Sequence, residues 1–285
     1  MILEELVRAE LAVPVDLRVS AMAGAIAAEY GDASRAVLFY GSCLREAQLD
    51  GLMLDFYLIV SDYRAAYSQR WLRAANRLIP PNVFPFEHGG LVAKYAVLSE
   101  ADFYRLNGPE TRNVSVWARF AQPSRLVWAK DDAARERAIA AVARAAPTLL
   151  GAAIPNAGPL RDDLDLWRQA FALTYSAELR AERKGRSGSV VDADPERYRR
   201  FTAPALAAAI PGTSGWTRRR IEGKTLSLVR LAKASATFAG GVDYIVWKIN
   251  RHAGTDIAVK PWQRKYPLLA AVSLLPRLLR SGAIR

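Results

Sequence analysis

Cysteine and histidine are nearly missing from this chain. Among 285 residues there is one cysteine and there are two histidines. The lone Cys43 forms no internal disulfide and supports no zinc site built on cysteines, which points to a reducing cytosol. Long apolar runs are missing too. No stretch of 18 residues is apolar without a charge or a proline, and the longest uncharged runs, Ala145–Leu160 and Phe201–Thr217, carry prolines and glycines. A membrane-spanning helix is therefore disfavoured. The opening MILEELVRAE is acidic and amphipathic and has no basic segment ahead of an apolar core, which disfavours a secretory signal. Acid is missing from the end of the chain, with none after Asp256.

What is present describes a folded chain. Hydrophobic residues make up 51% and charged residues 24%, so the length suits one or two domains with a real core rather than a disordered polymer. The net charge of +12 is unevenly placed. Residues 1–150 hold 17 basic and 17 acidic side chains, whereas residues 151–285 hold 23 basic and 11 acidic ones. A basic second half suits an anionic partner, either nucleic acid or an anionic membrane, and a basic solvated surface is the plainer alternative.

Periodicity places the elements. VSAMAGAIAAEY at 19–30 reads as a helix, and Ala36–Tyr40 and Leu54–Val60 read as buried strands. Asp62–Leu78 has helical spacing and ends at Pro80-Pro81. Leu91–Leu98 is a third strand, and 114–128 reads as one or two more. Asp131–Ala146 is helical, and Ala145–Leu160, rich in Ala, Gly and Pro, is the expected boundary. Beyond it Arg161–Arg183, Pro195–Ile210, Arg218–Ala239 and Val242–His252 read as helices, with a loop at Gly185–Ser189. The expected architecture is an α/β core, a mixed sheet with flanking helices, over residues 1–150, then a basic helical region over 151–259 and a tail over 260–285.

One constellation carries chemistry. Tyr40-Gly41-Ser42 follows a strand, and twelve residues separate Ser42 from Asp55 at the start of the next. This layout resembles the nucleotidyltransferase superfamily, in which a Gly-Ser turn precedes acids on an adjacent strand. Glycine lets backbone approach a triphosphate, and backbone N–H groups with a serine hydroxyl hold phosphate oxygens at a helix start. A nearby carboxylate binds Mg²⁺, which bridges phosphates and offsets charge on the leaving pyrophosphate. The positions two residues either side of Asp55, on its face of the strand, are Met53 and Tyr57, so a second acid is missing there.

Further residues, in order, sharpen the resemblance. They are Leu54-Asp55-Phe56, an asparagine and aromatic loop at Pro81–Phe86, Lys94-Tyr95 in VAKYAVLS, the Trp117–Trp128 segment and TYSAELR at Thr174–Arg180. Over about residues 36–200 the chain resembles the mitochondrial phosphatidate cytidylyltransferase family, peripheral-membrane CDP-diacylglycerol synthases linked to translocator assembly and maintenance. Two features depart from it: Cys43 stands where the family turn has a second glycine, and the spacer Leu44–Gly51 is short and polar. The resemblance implies that CTP and phosphatidate are substrates and Mg²⁺ the cofactor. Tyr40, Gly41, Ser42 and Lys94 would bind the nucleotide, and Asp55 the metal. Ser42, Asp55 and Lys94 would carry catalysis, and Arg180 would contact a phosphate. Glu46, Asp50, Glu87 and Asp102 are possible second metal ligands. Cys43 has no histidine near it in sequence and is not read as a nucleophile. His88 reads as a loop residue, and His252 as a cap or packing residue.

The tail Lys260–Arg285 joins Trp262 and Tyr266 to an apolar stretch ringed by Lys260, Arg264, Lys265, Arg277, Arg280 and Arg285. Such a segment lies in a membrane interface or docks on the core. The expected location is cytoplasmic, peripherally associated with the inner face of the membrane. Two alternatives stay open. One is a nucleotidyltransferase with another phosphorylated acceptor or RNA. The other is a non-catalytic module that binds nucleic acid, which the scattered aromatics and the lack of a recognisable nucleic-acid motif disfavour.

Overall fold

A computed structural model describes residues 2–44, 49, 51–178, 190–212, 215–237 and 260–261. The expected helix 242–252, the loop 185–189, most of the tail 260–285, and Arg180, Glu46, Asp50 and His252 lie outside the described residues.

The centre is a five-stranded mixed sheet in the order β3-β4-β2-β1-β5. Its strands are β1 (Ser34–Tyr40), β2 (Met53–Val60), β3 (Asn82–His88), β4 (Leu91–Ser99) and β5 (Ser124–Ala129). β2 and β4 are parallel, and the other pairs are antiparallel. Strand alternation sorts the side chains into two cores. Val37, Phe39, Leu54, Phe56, Leu58 and Val60 pack under α2 (Leu17–Ala28), which Asp16 caps by accepting from the Arg18 N–H at 2.8 Å. Leu38, Tyr57, Ile59, Ala96 and Leu98 face the other way, into the larger core.

That second face is covered by α1 (Leu3–Leu11), α5 (Glu100–Asn107), α6 (Trp117–Phe120), α7 (Asp132–Ala143), α8 (Ala145–Ala153), α9 (Asp165–Ala177), α10 (Pro195–Ala207) and the start of α11 (Trp216–Thr237). All of α8 is buried, so the core runs unbroken across the expected boundary at Ala145–Leu160. Asp132–Asn156 is long and apolar enough to cross a membrane by composition alone, but 67% of that window is buried in the protein itself. α10 is tied to α1 by a buried ion pair: Arg197 Nη2 donates to Glu10 Oε1 at 3.0 Å, and Arg197 Nη1 donates to the Ala121 carbonyl at 3.0 Å.

Three local expectations need correction. The stretch 62–78 is two helices, α3 (Tyr63–Ala66) and α4 (Arg70–Leu78), because Asp62 caps a separate first turn through the Arg64 and Ala65 N–H groups. Pro81–Phe86 is mostly strand β3 rather than loop. Its Pro85 is tolerated because β3 is an edge strand, where a missing N–H need not break the ladder. The segment 114–128 is a short helix, α6, followed by the single strand β5.

Candidate functional site

The register assembles the site. Tyr40 on β1 pairs with Asp55 on β2, and Asp55 pairs with Lys94 on β4. Residues paired across neighbouring strands point to one face, so these three form a row on the face of the larger core. Beyond β1 the chain turns at Gly41, whose φ is +97°, a conformation open to glycine and strained for other residues. A Cβ at Gly41 would stand 3.0 Å from Asp55 Oδ2. The carboxylate therefore faces the bend, and glycine is what allows the approach. Lys94 Nζ stands 2.7 Å from Asp55 Oδ1, in a pair that is 24% and 20% exposed and so open to a ligand.

Beside this row lies a cleft of about 140 Å³. Tyr40, Phe56 and Tyr57 line it; the Tyr40 and Tyr57 rings lie 5.3 Å apart, and Phe120 backs Tyr57 edge-on at 5.2 Å. Its polar walls are Lys94, Arg119, Ser115, Arg230 and Lys233. Sequence reading missed Arg119, Arg230 and Lys233. Arg119 comes from α6 and donates to the Ser115 carbonyl. Arg230 and Lys233 sit one turn apart on α11. Arg230 donates to the Pro80 carbonyl at 2.8 Å and to Ser115 Oγ at 2.5 Å. Lys233 Nζ donates to the Pro81 carbonyl at 2.7 Å and also to the Ile79 carbonyl. α11 reaches this place by packing closely on α9: a Cβ at Gly223 would meet the Ala177 carbonyl oxygen at 2.2 Å.

The charges respond to this crowding. Burial, then the Asp55 carboxylate and Tyr57, hold the Tyr40 phenol well above its ordinary value. Burial works against the charge on Arg119, but Tyr57, Glu178, Tyr40 and Asp55 together outweigh it and raise its pKa. Burial pulls Arg230 down to about 10, with Arg119 adding to the fall against Tyr57 and Glu178. Burial and the neighbouring Arg230 pull Lys233 down to about 7. Glu178, buried just past α9 within the TYSAELR segment, is a second acid near Arg119 and Arg230 that sequence reading did not single out.

The remaining sequence candidates do not line the cleft. Ser42 opens the 3-10 turn Ser42–Leu44, and the cleft wall is made by other residues. Asp102 is engaged at 2.6 Å by the Tyr63 hydroxyl and at 2.7 Å by Arg105. Glu87 and His88 are exposed near the β3–β4 turn, with His88 stacked on Phe86. Cys43 is buried, and its thiol donates to the Met53 carbonyl at 3.4 Å. Among the described residues no cluster of three His, Cys, Asp or Glu side chains is placed to hold a metal.

No protein-family model matches the chain, and no curated protein does. A crystal structure of a nucleotidyltransferase-like protein from Exiguobacterium sibiricum 255-15 is similar over 93% of this chain and 92% of its own, at 12% identity and a TM-score of 0.29. A likeness that slight carries no argument.

Proposed function

We propose that this protein transfers a nucleotidyl group from a nucleoside triphosphate to a phosphorylated acceptor, with CTP as donor and phosphatidate as acceptor, giving CDP-diacylglycerol and pyrophosphate. The observation that carries the reaction class is the Asp55 carboxylate turned onto the Gly41 bend beside a cleft walled by cations. CTP and phosphatidate enter from the ordered resemblance of residues 36–200.

The roles follow from the chemistry. Backbone at Gly41 and Ser42 would take the outer phosphates of the donor. Lys94 would leave Asp55 for a phosphate oxygen when the nucleotide arrives. Asp55, once released, would be the protein ligand of Mg²⁺. A single carboxylate suits that ion, which keeps several waters and takes substrate phosphates as its other ligands. When bound, Mg²⁺ offsets charge on the leaving pyrophosphate. The acceptor oxygen is already anionic, so the protein's work is positioning and charge stabilisation rather than proton removal. The lipid acceptor lies in a bilayer, which supports a cytoplasmic enzyme working at the inner membrane face. The tail 260–285 remains the proposed anchor on sequence grounds.

The test is direct. Full-length protein with Mg²⁺, CTP labelled at the α-phosphorus and dioleoyl phosphatidate in mixed micelles is expected to yield labelled CDP-diacylglycerol and one pyrophosphate per turnover. No pyrophosphate release with any of the four nucleoside triphosphates would overturn the reading. Release that requires RNA or a soluble phosphate ester in place of phosphatidate would move it to the alternative acceptors. A ligand that binds only the native state raises its thermal midpoint, so CTP is expected to do so more than the other three.

A further inference from the structure

We propose that Arg230 and Lys233, with Arg119 reaching toward them from the middle of the cleft, form a distinct site for a phosphate monoester dianion at the end of the cleft away from the Gly41 bend. The site's identity as the seat of the acceptor's reacting phosphate rests on the nucleotidyl-transfer reading. The anion site itself does not.

Position separates the two ends. Lys233 and Arg230 are fixed to the Ile79–Pro81 segment, which leads into Asn82, and Asn82 pairs with Val97. Val97 lies three residues along β4 from Lys94, a span of about 10 Å at strand rise. Arg119 lies between the ends, within the field of both Asp55 and Glu178.

Charge says what belongs there. Among the described residues the cleft holds four cations, Lys94, Arg119, Arg230 and Lys233, against two nearby acids, Asp55 and Glu178. Lys94 is matched by Asp55, whereas among the described residues no carboxylate is in salt-bridge contact with Arg119, Arg230 or Lys233. Their bonding partners among the described residues are the carbonyls of Ile79, Pro80, Pro81 and Ser115, the Ser115 hydroxyl and, for Arg119, the Tyr40 hydroxyl. If Arg230 and Lys233 served only to fasten α11 to the Ile79–Pro81 segment, neutral donors would do so without the penalty of burying charge. The surplus of two positive charges matches a phosphate monoester dianion. Burial and the neighbouring Arg230 depress the Lys233 pKa, and a dianion seated beside it would raise it again. Size agrees: ligand pockets for whole small molecules run to about 300–1,000 Å³, and this cleft, at about 140 Å³, suits a phosphate group.

Reaction geometry sets the direction. With the outer phosphates at the Gly41 bend and the α-phosphorus beside Asp55 and Lys94, an in-line attack comes from the side opposite the bend, where Arg230 and Lys233 stand. The acceptor phosphate oxygen forms a bond to the α-phosphorus. The bond from that phosphorus to the bridging oxygen breaks, and its electron pair leaves with pyrophosphate.

Calorimetric titration of the full-length protein, without Mg²⁺, uses glycerol 3-phosphate as the soluble probe. Phosphatidate vesicles and phosphatidylcholine vesicles serve as competitors. Binding is expected in the parent protein and at least tenfold weaker in Arg230→Gln and Lys233→Gln, while CTP binding with Mg²⁺ changes less than twofold. Lys233→Arg is expected to retain glycerol 3-phosphate binding, which separates loss of charge from a displaced helix. Unchanged glycerol 3-phosphate binding in both Gln variants overturns the proposal, and so does a parallel loss of CTP binding. Competition by phosphatidate but not phosphatidylcholine supports a lipid headgroup as the occupant. No competition by phosphatidate overturns that assignment while the dianion site stands. Failure of the transfer reading has its own mark: intact binding of both ligands and no turnover.

Discussion

The ion pair between α1 and α10 and the cleft under α11 both bury arginine against the same sheet face, yet they differ in balance. Arg197 is 2% exposed and has one carboxylate, Glu10, with a backbone carbonyl and two aromatic rings around the rest of the guanidinium. Every part of that charge is answered inside the protein. In the cleft, among the described residues, Arg230 and Lys233 bond to carbonyls and a hydroxyl, and Glu178 acts on Arg230 through its field without a salt bridge. A matched buried charge belongs to the architecture, because breaking the match is costly. An unmatched one keeps a place for something that arrives from outside.

The largest expected effect tests the matched pair. Glu10→Ala leaves Arg197 buried without its acid, and removal of one partner costs about 3–5 kcal/mol. The thermal midpoint is expected to fall steeply, whereas in material that remains folded the affinity for CTP is unchanged. Next is Asp55→Asn, which should lower the rate of pyrophosphate release about 10²–10³-fold, the usual effect of deleting one electrostatic contact to a transition state, with little change in the thermal midpoint. Equal losses of stability in the two variants would erase the contrast between the sites.

Gly223→Ala is expected to cost about 1–3 kcal/mol through overpacking against the Ala177 carbonyl. Helix propensity alone would favour Ala by about 1 kcal/mol, so the sign of the change in denaturation midpoint decides whether the close contact wins. The same variant should weaken glycerol 3-phosphate binding, since α11 carries Arg230 and Lys233.

The smallest effect is a slope. Lys233 has a pKa of about 7 in the folded protein against 10.5 in the unfolded chain. Between those values the unfolded chain binds more protons than the folded one, so this lysine makes stability rise as pH climbs from about 7 toward 10. Chemical denaturation at several pH values should show that rise, and Lys233→Met should remove its share. Saturating glycerol 3-phosphate should flatten it by holding the lysine charged.

The sheet was largely legible because its central strands are short apolar runs with breakers on both sides. Ala36–Tyr40, Leu54–Val60 and Leu91–Leu98 all lie within observed strands. β3 was hidden by Pro80 and Pro81 ahead of it and by Pro85 within it, which local pattern reads as a break and which a position at the sheet edge permits. α6 was hidden by length: four residues, WARF, have no period to detect. At the site, Gly41, Asp55 and Lys94 could be singled out from the turn, the strand acid and the mid-strand lysine. Their meeting depends on a parallel pairing of β2 with β4 that spacing does not reveal. Arg230 and Lys233 gave no sign in a helix holding many basic residues. The one available signal was their spacing of three, which puts both on one side of α11, and nothing in the sequence says which side meets the sheet.

The bond from Arg230 to Pro80 closes a loop of 150 residues. Chains are made from the N-terminus at about 5–20 residues per second, so a growing copy possesses its sheet, its glycine bend and Asp55 several seconds before the helix that completes the cleft. On the proposed reading, a half-made copy in that interval would have a place for a donor and none for the group meant to receive its cargo. Order of synthesis would then act as a safeguard, because competence waits for α11.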